Sequence, residues 1–157
     1  SYHRTMPTIT LIAVHKLKSG AYRDAFDDYA KRMTTWKLRL HELDIRDHGS
    51  SQTSAEHAAI IAALDKTAPL IAFDERGQTI DSAGFSSLIA RHFDTGAGNV
   101  QCVIGGADGL NDQIRKRAQH IISFGAMTWP HMLARVMAVE QFYRAQQIHA
   151  GHPYHRG

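Results

Sequence analysis

Val100-Gln-Cys-Val-Ile-Gly-Gly-Ala-Asp-Gly109 is a short apolar run, rich in β-branched residues, that passes directly into a glycine-rich loop. The spacing predicts a buried strand ending at Ile104, a turn over Gly105–Gly109 and a helix over Asn111–Arg117. The same alternation extends in both directions. Ile9–Val14, Leu38–Ile45 and Pro69–Asp74 read as strands before it, and Ile121–Phe124 as a fifth strand after it. Helical spacing begins at Ser19, with Ala21, Ala25, Tyr29 and Met33 forming the inner stripe. It recurs over Ser54–Lys66, where Ser54 is the expected N-cap and Ala58, Ile61 and Leu64 the inner face. Further helices are expected over Ser82–His92 and from His131 to about His149, the latter with apolar positions at Leu133, Val136, Met137 and Ile148. Between them, His48–Gln52 is a Gly/Ser-rich mobile connection, Glu75–Gln78 an acid-bearing loop and Thr95–Asn99 a turn. Gly125–Pro130 is not helical throughout, because Pro130 keeps Trp129 out of the α region. Strands alternating with helices predict one α/β domain with a mainly parallel sheet.

The 157 residues match a single domain, and 43% hydrophobic with 21% charged residues is ordinary globular composition. That balance excludes a disordered or collagen-like chain, and no apolar run approaches the roughly 20 residues of a membrane helix. Cys102 is the one cysteine, which excludes an intrachain disulfide framework and fits a reducing compartment. Ser1–Thr5 read as an expression-tag remnant before a native start at Met6, and no signal peptide is visible. Charge is unevenly placed. Residues 1–112 carry 12 Lys/Arg against 14 Asp/Glu, whereas residues 113–157 carry 6 against Glu140 alone, along with five of the 11 histidines. A one-sided basic surface suits a polyanion such as nucleic acid, and a solvated helix face explains it equally well.

Individual motifs leave the chemistry open. The Gly105–Gly109 loop is a tight turn or a ligand cradle. Its spacing is not that of a dinucleotide fingerprint, and no Lys-Ser/Thr follows to make a P-loop. Gly125–Pro130 occupies the equivalent place after the fifth strand, as a connector or as the cradle's other half. His149, His152 and His155 are spaced by three residues, yet Pro153 interrupts them and no carboxylate lies nearby, so no metal site is expected. His131 opens the last helix beside the second turn. Glu140 stands four residues before Arg144, the spacing of a helix ion pair.

Taken together, the order of motifs carries more. Ile104-Gly-Gly-Ala-Asp-Gly-Leu110, Met127-Thr-Trp-Pro-His131, Arg135-Val, Glu140, Tyr143-Arg144-Ala and His152-Pro-Tyr-His-Arg156 closely resemble the RlmH family. These are SPOUT-class, trefoil-knotted methyltransferases of bacterial large-subunit ribosomal RNA. Thr10-Leu-Ile-Ala-Val14 and Leu70–Asp74 resemble the family as well, so the likeness covers Met6–Gly157. It implies a single SPOUT-type α/β domain over residues 6–157 with a C-terminal trefoil knot. The implied activity is S-adenosyl-L-methionine-dependent methylation of N3 of a pseudouridine in helix 69 of 23S ribosomal RNA. The implied setting is a cytoplasmic homodimer acting on assembled ribosomes, with neither membrane nor DNA as a partner.

Carried over by position, the resemblance implies cofactor contacts from Phe73, Gly106, Gly125, Ala126, Met127, Thr128, Trp129 and Pro130. Family members commonly have leucine where Phe73 and Trp129 stand, and proline and glutamate where Ala107 and Asp108 stand. For the chemical step it implies Tyr154, His155 and Arg156 from the tail, together with Arg144, Glu140 and His131. The acceptor N3 must lose a proton, a task a histidine performs near neutral pH; His155 is the first candidate and His131 the second. Arginines suit phosphates or a developing anion, and a tyrosine suits a flipped base. Two other readings stand beside this one. One is a non-catalytic ribosome- or RNA-binding module of the same fold, and the other a nucleotide enzyme using the Gly105–Gly109 loop.

Overall fold

A computed structural model describes residues 6–156; Ser1–Thr5, Gly157 and the Arg156 side chain lie outside the described residues. Five strands form the sheet: β1 (Thr8–Val14), β2 (Lys37–Leu43), β3 (Leu70–Gln78), β4 (Asn99–Ile104) and β5 (His120–Ile122). Their order is β2-β1-β4-β3-β5, and every pairing is parallel. The expected parallel α/β domain is therefore what forms. Five α-helices connect the strands: α1 (Ala21–Ala30), α2 (Gln52–Ala63), α3 (Ser82–Asp94), α4 (Asp112–Arg117) and α5 (His131–His149).

Strand side chains alternate between two helical layers. Ile9, Leu11, Ile71, Phe73, Val100 and Cys102 join Phe26, Phe85, Ile89, Ala138 and Phe142 in one core, beneath α1, α3 and α5. Ile12, Val14, Leu70, Ala72 and Val103 join Ile60 and Ile114 in the other, beneath α2 and α4. Both faces of the sheet are covered, which explains why its central strands are near-continuous apolar runs. Cys102 is fully buried, and burial pushes its thiol far above the ordinary range. Asp81 and Asn111 cap α3 and α4 through Gly84 N–H and Ile114 N–H, at 2.7 and 2.9 Å.

Several local expectations need correcting. Helix α2 starts at Gln52, so Ser54 lies inside it and is not its cap; His48–Gln52 leads into it through a 3-10 turn at Gly49–Ser51. Its buried positions are Glu56 and Ile60, while Ala58 is exposed. In α1 the buried side chain is Phe26, and Ala21 faces solvent. Glu75–Gln78 is not a free loop but the irregular end of β3, where Phe73 and Gln78 both pair with Ile122. Gly77 permits this, since a Cβ there would stand 2.5 Å from the Ile121 carbonyl carbon. Helix α5 buries Ala134, Ala138, Val139, Phe142 and Ala145, leaving Leu133, Val136, Met137 and Ile148 only half-buried. Its small side chains let the backbone approach the sheet between α1 and α3. The tail is ordered too, as a 3-10 turn over Pro153–Arg156.

The C-terminal excess of basic residues is largely internal. Arg115 pairs with Asp74 and Asp112, and Arg117 donates to the Asp65 and Ala68 carbonyls at 2.9 and 2.8 Å. Arg135 is 1% exposed and pairs with Glu42 at 2.8 Å, and Arg144 pairs with Glu140 at 3.0 Å. These four arginines hold the fold, so among the described residues most of the C-terminal positive charge is taken up by internal partners, and Lys116 is exposed.

Candidate active site

Because all strands are parallel, the loops following β1, β3, β4 and β5 collect along one edge of the sheet. The glycine loop after β4 closes on itself. Gly109 N–H donates to the Gly106 carbonyl at 3.0 Å, Gly109 adopts φ +74°, and a Cβ on Gly105 would sit 2.5 Å from the Gly109 oxygen. Helix α2 clamps this loop from outside. Thr53 Oγ1 donates to Asp108 at 2.7 Å, and the His57 ring meets the Gly109 carbonyl at 2.9 Å. Gly106 lies against Glu56, since a Cβ there would come within 2.5 Å of Oε1.

The turn after β5 is shaped by Ser123, whose hydroxyl both accepts from Gly125 N–H and donates to the Gly125 carbonyl, each at 3.0 Å. Gly125 has φ +112°, a conformation that favours glycine. Pro130 then starts α5, its carbonyl accepting from Ala134 N–H at 2.9 Å.

The two turns face one another across a cavity of about 280 Å3. Phe73, Ile104, Gly106, Phe124, Gly125, Thr128 and His131 line it, with Asp74, Glu75, Arg76 and Asp108 toward the mouth. Phe73 and Phe124 stack at 4.8 Å with their planes 16° apart, giving an apolar wall. Met127 and Trp129 also border the cavity and are 74% and 40% exposed. Of the sequence-derived contacts, Ala126 and Pro130 shape the turn without lining the cavity.

His131 contributes a further feature. Its Nε2 is buried without a hydrogen-bond partner, and its ring lies 6.0 Å from that of His15. Burial, reinforced by neighbouring His15 and Arg135, lowers its pKa and keeps the imidazole neutral at pH 7, against a smaller opposing pull from Glu56. His15 reaches Glu56 at 3.4 Å, and Gln52 donates to the same carboxylate oxygen at 2.8 Å. Sequence reasoning passed over Glu56. The available signal was its place in the register Gln52–Glu56–Ile60, which puts a carboxylate on the inner face of an apolar helix.

The tail residues assemble elsewhere, around Glu140. Arg144 donates to both Glu140 oxygens, at 3.1 Å from Nε and 3.0 Å from the second guanidinium nitrogen. Tyr154 donates its hydroxyl to Glu140 at 3.1 Å and lies under the Arg144 guanidinium at 4.9 Å. The Tyr154 phenol is pushed up to about 12, first by burial and then by Glu140. Arg144 also donates to Nδ1 of His155 at 3.2 Å. This cluster borders a second cavity, of about 760 Å3, that includes Val136, Met137, Glu140 and His155. The two cavities share Phe73, Phe124 and Gly125 as a common wall. Within one chain, then, His131 faces the cavity between the turns, and Tyr154 and His155 stand behind it. Among the described residues, no group of three or more His, Cys, Asp or Glu is placed to hold a metal ion.

Fold and site together define a class: a parallel α/β domain that seats a small ligand between two glycine-bearing turns at the carboxyl edge. More particularly, the chain belongs to the SPOUT methyltransferase family, whose model, described as "Predicted SPOUT methyltransferase", matches residues 7–155. It is 45% identical over 148 residues to the Ribosomal RNA large subunit methyltransferase H of Rhodospirillum centenum, covering 93% of this chain and 97% of that protein. The protein of the same name from Rhodopseudomonas palustris is 44% identical over 157 residues, covering 94% and 98%. Solved structures of low identity share the fold. A probable methylase family protein from Haemophilus influenzae superimposes with TM-score 0.56 at 14% identity, covering 93% of this chain and 69% of that one. A probable methyltransferase from Bordetella pertussis gives 0.53 at 13%, covering 90% and 97%. Among the described residues no helix is long and apolar enough to cross a membrane.

Proposed function

We propose that this chain uses S-adenosyl-L-methionine to methylate N3 of a pseudouridine in helix 69 of 23S ribosomal RNA. It does so as a cytoplasmic homodimer acting on assembled ribosomes. The observation that carries the reading is the pairing of the Gly106 and Thr128 turns around one cavity in a chain whose near-full-length relatives are named for ribosomal RNA methylation.

The residues present suit the cofactor. Phe73, Ile104 and Phe124 offer an apolar wall for a purine, and the glycine turns bring backbone polar groups close. Glu75 and Asp108, against Arg76, leave the mouth net acidic for a cation, Asp74 being taken by Arg115. When bound, S-adenosyl-L-methionine supplies a methyl group activated by its sulfonium. The chain's part is to hold donor and acceptor in line and to remove the N3 proton. His155 takes that proton. By accepting from Arg144 at Nδ1 its neutral ring carries a proton on Nε2, so Nδ1 is the basic atom once substrate displaces the guanidinium. The Arg144 nitrogen released from His155, with the guanidinium still held by Glu140, then stabilises the imide anion together with Arg156, while Tyr154 packs on the base. His131, with its unpartnered Nε2 in the cavity wall, is the second acceptor.

Since Tyr154 and His155 lie behind the cavity in their own chain, the proposal has the tail of one protomer completing the cavity of the other. The exposed Met127 and Trp129 at the mouth, and the half-buried Val136 and Met137 on α5, are apolar surface for that contact. The chain beyond β4 is threaded as the family's trefoil knot. Mass spectrometry of large-subunit RNA from cells with and without the protein tests the reading. A single N3-methylated pseudouridine in helix 69 is expected only with the protein present, and identical spectra would refute it. Calorimetric titration with S-adenosyl-L-methionine separates it from a binding module, which has no reason to retain affinity.

A further inference from the structure

A third cavity, of about 540 Å3, opens on the same sheet edge beyond the ends of β1 and β2. Its lining includes His15, Lys16, Lys18, Tyr22, Asp44 and Arg46. Arg46 and Asp44 neutralise each other at 2.6 Å. Lys16 and Lys18 are exposed and, among the described residues, make no ion pair. Lys16 and Lys18 therefore leave a net positive charge at the border of this cavity, in contrast to Arg115, Arg117, Arg135 and Arg144, whose charges the fold consumes.

The loop that presents them is rigidly built. His15 is held at φ +70°, an unusual conformation for a non-glycine residue. Its carbonyl and that of Val14 accept from Arg135 at 2.9 and 2.8 Å, and Leu17 N–H donates to Glu42 at 2.7 Å. Arg135 and Glu42 are themselves paired at 2.8 Å, so one buried ion pair fixes the path of the chain from Val14 to Leu17. This loop also comes close to the cavity between the glycine turns, for the His15 ring lies 6.0 Å from that of His131, which lines it. Strands β1 and β4 are neighbours, so the loops that lead from them toward the two cavities start about 5 Å apart, one strand spacing.

We propose that this cavity holds the single-stranded RNA next to the methylated base. Lys16 and Lys18 take its phosphates, and Tyr22, 43% exposed, stacks on the adjoining base. The inference rests on the RNA-methyltransferase reading and adds to it a substrate subsite outside the cofactor cavity and the tail. The test compares wild type, Lys16→Ala/Lys18→Ala and a control, Lys66→Ala, whose charge lies near the start of β3 at the opposite edge. Methylation of ribosomes should show KM raised at least tenfold in the double variant, with kcat and S-adenosyl-L-methionine affinity within twofold of wild type and the control unchanged. Binding of a fluorescein-labelled single-stranded oligouridylate should weaken likewise. The slope of log affinity against log salt should become shallower by about 1.4 for the two lost phosphate contacts. Unchanged KM and salt slope in the double variant, or an equal loss in the control, would overturn the subsite. Failure of the wild type to methylate ribosomes would instead remove the parent reading, and the oligouridylate comparison would still decide whether the lysines bind RNA.

Discussion

Gly106 has no room for a side chain, because the carboxylate of Glu56 occupies the place of its Cβ, 2.5 Å away. Gly106→Ala must push the Glu56 carboxylate, the end of a flexible side chain, from its contacts with Gln52 and His15, and the loss of such a contact costs about 1 kcal/mol. The expected outcome is a lower urea midpoint together with weakened S-adenosyl-L-methionine binding by calorimetry. His155→Ala acts differently. It removes the proposed base from an exposed turn, so methylation of ribosomes should be abolished while cofactor affinity stays within a few-fold. Unaltered turnover would remove His155 from the mechanism. At this scale the sequence was informative about which residue types matter and poor about who touches whom. Gly106 was legible as a cradle residue, but the carboxylate that demands glycine there comes from a helix some fifty residues earlier.

Among the elements, α5 carries the longest reach. Gln146, 1% exposed, turns its Oε1 toward three consecutive backbone donors at 3.0–3.1 Å, the N–H groups of Thr34, Thr35 and Trp36, and its amide donates to the Arg32 carbonyl. One side chain thereby closes the end of the α1–β2 connection. Gln146→Leu should destabilise the domain by about 2–3 kcal/mol, since the buried Trp36 N–H loses its acceptor; equilibrium urea unfolding measures it. Periodicity located α5 over His131–His149, but its apolar positions do not by themselves say which face turns inward. Leu133, Val136 and Met137 are only half-buried, while Ala134, Ala138 and Ala145 face inward together with Val139 and Phe142, the alanines filling the narrow places and Phe142 packing on Phe73 of β3. Glu75–Gln78, an expected loop, is strand because Gln78 pairs with Ile122 of β5 past an irregularity that Gly77 permits.

For the whole molecule, the Glu42–Arg135 pair ties β2, α5 and the loop after β1 into one unit. Glu42→Leu leaves a guanidinium buried without its counter-charge and should cost about 3–5 kcal/mol, read from urea unfolding. Acid should weaken the fold as well. His131, His92 and His120 all have pKa values lowered first by burial, and His92 shares a 2.8 Å ring contact with His120 that needs at least one neutral partner. The unfolded chain, with ordinary values near 6.5, then takes up protons before the folded one does. Stability is full above about pH 7 and falls as the pH drops through 6.5 toward the lowered folded values. Unfolding free energies at pH 7.5 and 5.5 should show that loss, and His131→Gln should make it smaller; an undiminished loss in the variant would exclude His131 as a contributor.

The order and type of elements, the parallel sheet and the two glycine turns were determined by the sequence alone, since each depends on periodicity or backbone freedom within a few residues. Tertiary structure alone decided that both turns border one cavity, that Glu56 lies beneath Gly106, that Tyr154 and Arg144 gather on Glu140, and that Arg115, Arg117, Arg135 and Arg144 find partners within the fold. Those outcomes depend on which distant segments meet. A row of residues has no geometry across the sheet until β4 takes its place between β1 and β3.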